Sequence, residues 1–305
     1  MHLLFIFLDG VGLGQPDKTV NPLVLADMPV LSGLLNGNPL RAGIDPLENH
    51  RATLLALDAR LDVDGLPQSA SGQAAFLTGK NIPAAIGEHY GPKPNPAIME
   101  YLGNGNLFAQ VQARGQRAAL LNAYPPRYFE ALDSGRRLPG AIAMAARMAG
   151  LALKTKEDLF AGQAMSVDFT GHGWRETLGF AETPLLTPEE AGRQLWKLAS
   201  EHEFSLFEYW LSDVVGHKQD MQAALNILNT LDRVLGALIA AWPDEQGLIL
   251  ITSDHGNLED LSTRRHTTNP VPCLLIGSST LRHKHASQLR DLTDIYDLVL
   301  AVLDA

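Results

Sequence analysis

Asp254 and His255, whose side chains are of types that bind metal ions, follow the apolar run 247–251 after Thr252 and Ser253. Core packing does not require an adjacent carboxylate and imidazole at a strand end. Such a pair is well suited to binding a divalent cation. Two other apolar runs also end in such side chains, and a further imidazole lies in the loop 264–270. The six residues are Asp9, Asp213, His217, Asp254, His255 and His266.

Three carboxylates and three imidazoles provide enough ligands for two hydrolytic metal ions. The mixture favours zinc or manganese, because magnesium and calcium prefer oxygen ligands. Taken singly, Asp9 could cap a helix or form a turn, and Asp213 with His217 could be a turn with a surface histidine. Taken together, the six residues at the ends of apolar runs predict two divalent ions, Mn²⁺ or Zn²⁺.

Continuous apolar runs predict strands that are covered on both faces, as in parallel sheets. These runs are residues 3–8, 118–121, 204–211, 248–251 and 271–276. Helical patterns lie between them, at 106–114, at 221–242 and after Thr187, where Glu190 completes a capping box. The alternation predicts an α/β fold with a mostly parallel central sheet and helices on both faces. Ligands of such sheets bind beyond the carboxyl ends of the strands, where the six residues would meet.

We expect one domain over residues 1–305, because no linker or internal repeat divides the chain. The stretch from about 125 to 180 is less regular than the rest, with adjacent prolines and an Ala/Met-rich segment at 141–152. Two interpretations fit it: a small insertion that covers the substrate, or a peripheral helix with long loops.

The composition limits the classes of partner. The formal net charge of −10 argues against nucleic-acid binding, which needs a basic face. Cys273 is the only cysteine, so no intrachain disulfide forms, and we expect an inert core thiol. The apolar start lacks a basic region and a cleavage site, and no apolar run reaches the roughly 18–20 residues of a membrane span. These features predict a cytoplasmic protein without a membrane partner.

A turn of small residues at 65–73 offers a nucleophile, because it leads into the helix-like residues 74–77. A hydroxyl at a helix N-terminus that faces a metal ion can be held as an alkoxide and attack phosphorus. Ser69 and Ser71 both fit this description. A serine-rich helix cap is the alternative interpretation of the segment.

Five motifs occur in an order that is familiar from one group of enzymes. They are Asp9-Gly10, Ser69-x-x-Gly72, Asp213-x-x-Gly216-His217, Asp254-His255-Gly256-Asn257 and His266 followed by Pro270-Val271-Pro272. With these motifs the chain resembles the alkaline phosphatase superfamily, in the branch of cofactor-independent phosphoglycerate mutase and phosphopentomutase. The last two motifs together are specific, whereas Asp-Gly and Ser-x-x-Gly alone are not. The resemblance covers residues 9–272.

The resemblance implies an alkaline-phosphatase-like fold with two metal sites. One site would be formed by Asp213, His217 and His266. The other would be formed by Asp9, Asp254, His255 and the hydroxyl of Ser69. The resemblance also favours Ser69 as the nucleophile because of its position relative to Gly72, with Ser71 as the alternative.

These features predict two-metal phosphoryl transfer through a phosphoserine, with a phosphate monoester or diester as substrate and hydrolysis as the outcome. An intramolecular phosphomutase is the alternative. Two features depart from the mutases: Gln73 stands where they have histidine after the glycine, and the chain is shorter than theirs. A catalytically lapsed, metal-stabilised binding protein is the second alternative.

Two dications, three carboxylates and one alkoxide would leave the centre about neutral. A small phosphorylated substrate would therefore need further positive or hydrogen-bonding groups from the protein. The candidates are Arg264, Arg265, Lys80, His89 and Arg175. For each of them, a solvated surface position is the simpler interpretation.

Overall fold

One sheet of seven strands runs through the protein, and a computed structural model describes residues 1–305. The strands are β1 (His2–Leu8), β2 (Leu47–Glu48), β3 (Ala52–Leu57), β4 (Ala118–Leu120), β5 (Phe204–Tyr209), β6 (Gly247–Thr252) and β7 (Val271–Gly277). Their order across the sheet is β2-β3-β7-β6-β1-β5-β4.

Four neighbouring strands of this sheet are parallel. β1 lies between β6 and β5, with Ile6 in register with Ile251 on one side and Phe207 on the other, and β4 pairs with β5. β1, β4 and β6 are apolar almost throughout because both faces of the sheet are covered. The α/β class predicted from the sequence is confirmed.

The other side of the sheet is antiparallel. β7 runs against β6, β3 against β7, and β2 against β3. The strand predicted at 271–276 therefore exists but does not extend the parallel arrangement. The reason is its connection: residues 253–270 contain no helix, and a loop without a crossover joins neighbouring strands in antiparallel orientation.

Helices cover both faces of the sheet. They are α1 (Pro22–Leu25), α2 (Pro29–Leu34), α3 (Ser69–Thr78), α4 (Ile82–Ile86), α5 (Pro96–Gly103), α6 (Leu107–Ala113), α7 (Pro126–Asp133), α8 (Ala141–Met148), α9 (Lys156–Phe160), α10 (His172–Glu176), α11 (Pro188–Ala199), α12 (Leu211–Lys218), α13 (Met221–Ala241), α14 (Ser279–Ala286) and α15 (Asp294–Leu303).

The sheet separates two apolar cores. On one face, α3 packs with α5, α8 and α15, and Phe76 contacts Phe5 and Phe7 of β1. On the other face, α11 and α13 pack together over Ile6 and Phe207. Cys273 lies in the first core, where burial raises the pKa of its thiol to about 12, as expected of an inert thiol.

Several helix boundaries follow local signals in the sequence. The capping box of Thr187 and Glu190 is present at the start of α11. Two other helices carry functional residues and begin where the sequence did not indicate a start. α3 begins at Ser69 instead of residue 74, and α12 carries both Asp213 and His217 on a helix instead of in a turn. Both helices therefore present their functional side chains from regular backbone.

Part of the irregular stretch 125–180 belongs to the core, and a role of its other parts in covering the substrate stays a prediction. The Ala/Met-rich part forms α8, whose residues 141–146 are buried in the first core against α3, α5 and α6. Its apolar composition reflects this packing. The remaining parts include α7, α9 and α10, and they also contribute buried side chains, among them Tyr128, Phe169 and Trp174.

The helix α13 has the length and composition of a membrane span, with a mean hydropathy of 1.3 over its most apolar window. It packs against α11, α12 and α2, and its residues Leu228, Leu231 and Leu235 are buried in the second core. Its apolar face is thus accounted for by the interior of the fold.

Candidate active site

The carboxyl ends of the parallel strands bring the predicted metal ligands together. Asp9 directly follows β1, and Asp254 with His255 follows β6. Asp213 lies in the first turn of α12, directly after β5. His266 reaches the same place from the loop between β6 and β7. The sheet thus collects residues that are up to 257 positions apart.

Asp213, His217 and His266 form the first group of ligands, with ligand atoms within 4.8 Å of one another. His217 Nε2 lies 3.3 Å from Asp213 Oδ2, and His266 Nε2 lies 3.7 Å from Asp213 Oδ1. Each imidazole donates from Nδ1 to a backbone carbonyl, His217 to Arg264 and His266 to Pro67, both at 2.7 Å. These contacts select the tautomer whose Nε2 is free to bind a metal ion.

The second group surrounds His255. Its Nε2 lies 3.5 Å from Asp9 Oδ1, 3.6 Å from Asp254 Oδ1 and 3.1 Å from Ser69 Oγ. All four side chains are buried, and the His255 ring stacks on His266 with 3.7 Å between centroids. Asp213 also belongs to this group, so the two groups are contiguous.

Burial shifts the pKa values of the second group towards the uncharged forms. It raises the pKa of Asp254 to about 7 and lowers the pKa of His255 to about 3. Burial, and after it the charges of Asp254 and Asp213, raises the pKa of Asp9 well above its ordinary value. Without a cation, the ionised forms of Asp9 and Asp254 are therefore destabilised by their buried environment.

These residues fit divalent metal ions. Asp9 Oδ1 is buried and has no hydrogen-bond partner, which is costly for a carboxylate oxygen. The Nε2 atoms of His217 and His266 lie 3.2 Å apart, although Nδ1 of each ring already donates to a carbonyl. Two acceptor nitrogens and unpaired carboxylate oxygens at such distances are stabilised by a cation between them.

The geometry distinguishes the two candidate nucleophiles. Ser69 Oγ points to His255, as the first residue of α3. Ser71 Oγ donates to Gln68 O at 3.2 Å and accepts from Tyr90 N at 2.9 Å. The hydroxyl of Ser71 therefore fixes the start of α3, whereas that of Ser69 is directed at the ligands.

Several polar residues that support the ligands were not predicted. Gln73 Nε2 donates to Asp254 Oδ2 at 3.0 Å, and Asn257 Nδ2 donates to Asp213 Oδ1 at 2.8 Å. Asn257 belonged to a recognised motif, which was a signal for its importance but not for its contact. Gln73 follows the motif glycine Gly72 and was noted only as a departure from the mutases, which gave no signal for its contact.

Glu259 is a buried carboxylate that holds the surrounding loops. It accepts from the backbone N–H groups of Gly12 at 2.9 Å and Asn257 at 2.8 Å, and from Asn269 Nδ2 at 3.0 Å. The hydroxyl of Thr267 also donates to it. These contacts connect the turn after β1 to both ends of the loop that carries His266.

The candidate substrate residues beside His266 lie at the surface. Arg264 Nε donates to Gln219 Oε1 at 3.1 Å, and Arg265 is exposed. Both are next to the first ligand group in the chain, and their role in substrate binding stays a prediction.

The structure does not bring Lys80 to the centre. It follows the C-terminal end of α3, and Ser69 begins that helix, so the two are separated by about 15 Å at 1.5 Å per residue. Its Nζ lies over the ring of Tyr101, 5.4 Å from the centroid. The predicted substrate contact of Lys80 is therefore corrected to a surface cation–π contact.

His89 and Arg175 are likewise engaged elsewhere. His89 Nε2 lies 3.2 Å from the carbonyl of Val63, and Arg175 Nε donates to the carbonyl of Thr183 at 2.6 Å. Neither side chain contacts a metal ligand. The sequence placed them near the site because it could not indicate these backbone partners.

Comparison with known proteins supports the same interpretation. Residues 183–304, which include five of the six ligands, match the family model described as the Metalloenzyme superfamily. The chain is similar to the 2,3-bisphosphoglycerate-independent phosphoglycerate mutase of Synechococcus sp. (strain JA-2-3B'a(2-13)), with 36% identity over 105 residues. This match covers 32% of this chain and 20% of the relative. The chain is therefore similar to the Metalloenzyme superfamily over residues 183–304, and to a phosphoglycerate mutase over about a third of its length.

The corresponding enzyme of Agrobacterium fabrum is 36% identical over 98 residues, which cover 30% of this chain and 19% of the relative. The chain thus spans about a fifth of the length of the curated relatives it matches. The family resemblance predicted from the motifs is confirmed.

Solved structures show that the superfamily fold extends over the whole chain. The PH0037 protein from Pyrococcus horikoshii has a TM-score of 0.60 at 15% identity, with 99% of this chain and 96% of that chain covered. Thermus thermophilus alkaline phosphatase has a TM-score of 0.55 at 12% identity, with 99% and 91% covered. The predicted alkaline-phosphatase-like architecture is therefore confirmed.

Proposed function

We propose that this metalloenzyme transfers the phosphoryl group of a small phosphate ester through Ser69. The observation that carries the proposal is the position of its hydroxyl, at the N-terminus of α3 and 3.1 Å from His255 Nε2. Hydrolysis of a phosphate monoester or diester is the proposed outcome, and Mn²⁺ or Zn²⁺ are the proposed ions.

The two ligand groups would hold two divalent cations. One would be bound by Asp213, His217 and His266, and the other by Asp9, Asp254, His255 and Ser69 Oγ. Bound there, the cations would supply Lewis-acid stabilisation of the phosphate charge and would favour the alkoxide form of the nucleophile.

In the proposed reaction, Ser69 Oγ attacks phosphorus in line with the leaving oxygen. The new O–P bond forms as the ester P–O bond breaks, and the leaving oxygen keeps the electron pair and takes up a proton. The N-terminus of α3 stabilises the negative charge of the phosphoserine. Water then attacks the phosphoserine, releases phosphate and restores the hydroxyl.

Two observations favour different fates of the phosphoserine. The side chain of His217 is 43% exposed, so water reaches the centre, which favours hydrolysis. The curated relatives that match are phosphoglycerate mutases, which favours return of the phosphoryl group to the substrate. The two activities share Ser69 and the metal ligands.

The proposal is tested with metal-loaded protein, a set of phosphate esters and water labelled with ¹⁸O. Hydrolysis through a phosphoserine predicts one solvent oxygen in released phosphate, and a phosphorylated peptide containing Ser69 after acid quenching. Isomerised substrate without label in phosphate would establish the mutase alternative.

Two serine variants separate chemistry from folding. Ser69→Ala is expected to remove both turnover and the phosphopeptide, whereas Ser71→Ala should keep the phosphopeptide and lower only stability. If Ser69→Ala retained full turnover, the proposed nucleophile would be wrong. If metal-replete protein turned over no ester and formed no phosphopeptide, the lapsed binding protein would be the better interpretation.

A further inference from the structure

Three neighbouring polar side chains lie on the same side of the sheet as the metal ligands. They are Lys93, Tyr124 and Glu208, each half-buried. None of them was singled out by the sequence motifs, and the proposed reaction does not use them. We refer to these three residues as the polar subsite.

Glu208 lies beside the metal ligands because of the strand register. It pairs with Phe7 of β1, and Asp9 follows two residues later on the same face of the sheet. A strand spacing of about 4.8 Å and a rise of about 3.3 Å per residue place Glu208 and Asp9 roughly 8 Å apart at the backbone. The Glu208 carboxylate lies beside the hydroxyl of Tyr124, and burial raises its pKa to about 7.

Lys93 approaches from the loop that covers the start of α3. Tyr90 of this loop exchanges two hydrogen bonds with Ser71, and a Cβ at Gly91 would lie 3.3 Å from Ser69 N. The ammonium of Lys93 lies in the field of Glu208 and Asp9, yet no carboxylate is within 4.0 Å of it. Burial lowers its pKa, which shows that it is partly removed from water.

The hydroxyl of Tyr124 completes the group. Its oxygen is buried without a hydrogen-bond partner, and its ring stacks on Tyr128 with 4.5 Å between centroids. Burial, and after it the charge of Glu208, raises the pKa of this hydroxyl well above its ordinary value. Tyr124 is therefore a protonated donor at neutral pH.

Polar groups that are withdrawn from water without a partner are costly, and in a native protein they call for an explanation. A carboxylate, an ammonium and a phenol hydroxyl beside a reaction centre provide an acceptor and two donors for a ligand. We propose that Lys93, Tyr124 and Glu208 bind the leaving group of the substrate, and that this leaving group is an uncharged alcohol carrying additional hydroxyl groups.

The charges of the subsite favour this class of leaving group. Lys93 and Glu208 have opposite charges, so the subsite as a whole attracts neither an anion nor a cation strongly. A carboxylate or second phosphate on the leaving group would meet Glu208 and the acidic ligands beyond it. An alkyl group would leave all three polar residues unpaired. A hydroxyl group both donates to Glu208 and accepts from Lys93 or Tyr124. This inference rests on the proposed function, because a leaving group exists only if phosphoryl transfer takes place. The binding test described next does not require turnover.

The binding test uses metal-loaded Ser69→Ala protein, which cannot turn the ligands over, and calorimetry with three probes. The probes are glycerol 1-phosphate, propyl phosphate and 3-phosphoglycerate. We expect glycerol 1-phosphate to bind roughly tenfold or more tightly than either of the others, as one hydrogen bond to a charged group allows. Equal affinities for the first two probes, or tightest binding of 3-phosphoglycerate, would overturn the proposal.

Isosteric variants in the same Ser69→Ala background assign the preference to the subsite. Glu208→Gln and Tyr124→Phe should reduce the ratio of the two affinities towards one without weakening propyl phosphate. Tyr128→Phe is the matched control, because its ring stacks on Tyr124, and it should keep the ratio. Variants that weaken all probes equally would show a structural role instead.

Turnover then separates this proposal from the proposed function. If active protein shows no preference in kcat/KM for glycerol 1-phosphate over propyl phosphate, the subsite fails while phosphoryl transfer stands. If the binding preference is present but no ester is turned over, the subsite stands and the proposed chemistry fails.

Discussion

The imidazoles of the first ligand group are oriented by backbone carbonyls, those of Arg264 and Pro67. Such contacts cannot be removed by changing a side chain. The carboxylates are instead oriented by side-chain amides, Gln73 for Asp254 and Asn257 for Asp213. Amino-acid substitution can therefore test the hydrogen bonds that orient the carboxylates, but not those that orient the imidazoles.

Gln73→Leu is expected to weaken binding of Mn²⁺ by about tenfold, because Asp254 loses the hydrogen bond that fixes its orientation. The size of leucine keeps the helix α3 packed. Titration calorimetry of the metal-free protein measures the effect. Gln112→Leu, on the exposed side of α6, is the control and should bind Mn²⁺ as the wild type does. Unchanged affinity in Gln73→Leu would show that Asp254 is held by its surroundings alone.

The raised pKa of Asp254 predicts how the stability of the metal-free protein depends on pH. A folded-state pKa of about 7 against an ordinary value of 3.8 means that the folded protein holds the proton more strongly. The associated stability is complete below pH 4 and is lost as the pH rises through 7.

Asp254→Asn, which cannot ionise, should therefore be more stable than the wild type at pH 8 by a few kcal/mol, and by much less at pH 5. Urea denaturation in the presence of a chelator measures the difference. With Mn²⁺ at pH 8 the order should reverse, because only the wild type has the complete ligand set. If the metal-free variant and wild type differed in stability by the same amount at pH 5 and pH 8, ionisation of Asp254 would not be the cause.

The proposed metal ligands were predictable from the sequence, whereas the residues that hold them in place through hydrogen bonds were not. The metal ligands stand in short motifs after apolar runs, and all six converge in the structure. Glu208 and Glu259 stand in no recognisable pattern of this kind, and Gln73 was noted only as a departure from the mutases, because the contacts of all three depend on partners far along the chain. Lys80 shows another limit of the sequence, which did not indicate that this residue lies at the opposite end of α3 from Ser69.

At the scale of elements, the turn after β1 brings the backbone of Gly10 close to the proposed metal ligand Asp213. Gly10 has a φ of +68°, and a Cβ there would lie 2.7 Å from Asp213 Oδ1. A side chain at this position would therefore strain the turn and displace a residue that belongs to both ligand groups.

Gly10→Ala is expected to lower stability by about 1 kcal/mol or more and to reduce Mn²⁺ affinity. Gly37→Ala is the matched control, because Gly37 also has a positive φ, +83°, but no atom lies within 4 Å of its added Cβ. The control should lose stability alone. Thermal denaturation and metal titration of both variants separate backbone strain from displacement of Asp213, and equal metal affinities would exclude the displacement.

The positions of five strands were predictable because buried strands are continuous apolar runs, but β2, β3 and the direction of β7 were not predicted. The run at 271–276 has the same composition as the parallel strands, and only the absence of a helix in 253–270 makes it antiparallel. The strand β3 has the comparable sequence Ala-Thr-Leu-Leu-Ala-Leu, which helical and strand patterns fit about equally.

At the scale of the whole molecule, a buried arginine connects the antiparallel edge of the sheet to the helix α14. Arg282 is fully buried, and its guanidinium donates to Glu48, to Thr53 and to the carbonyls of three residues. The carbonyls belong to Asn49, His50 and Gly277.

Arg282→Met should destabilise the fold by about 3–5 kcal/mol, because Glu48 and several buried acceptors lose their donor. Metal affinity of the folded fraction should not change, since the site lies at other strand ends. Arg233→Met removes an exposed pair with Glu189 and is expected to cost less than about 1 kcal/mol. Urea denaturation measures both variants, and similar losses would show that the Arg282 contacts contribute little.

Because β7 runs antiparallel to β6, a single loop connects the two proposed metal sites. The loop 253–270 is fixed at both ends to adjacent strands, and it carries Asp254 and His255 for one ion and His266 for the other. An ion that orders one half of this loop lowers the conformational freedom lost when the second ion binds. If two ions bind as proposed, this geometry would favour their binding as a pair, and singly loaded molecules would be scarce at limiting metal.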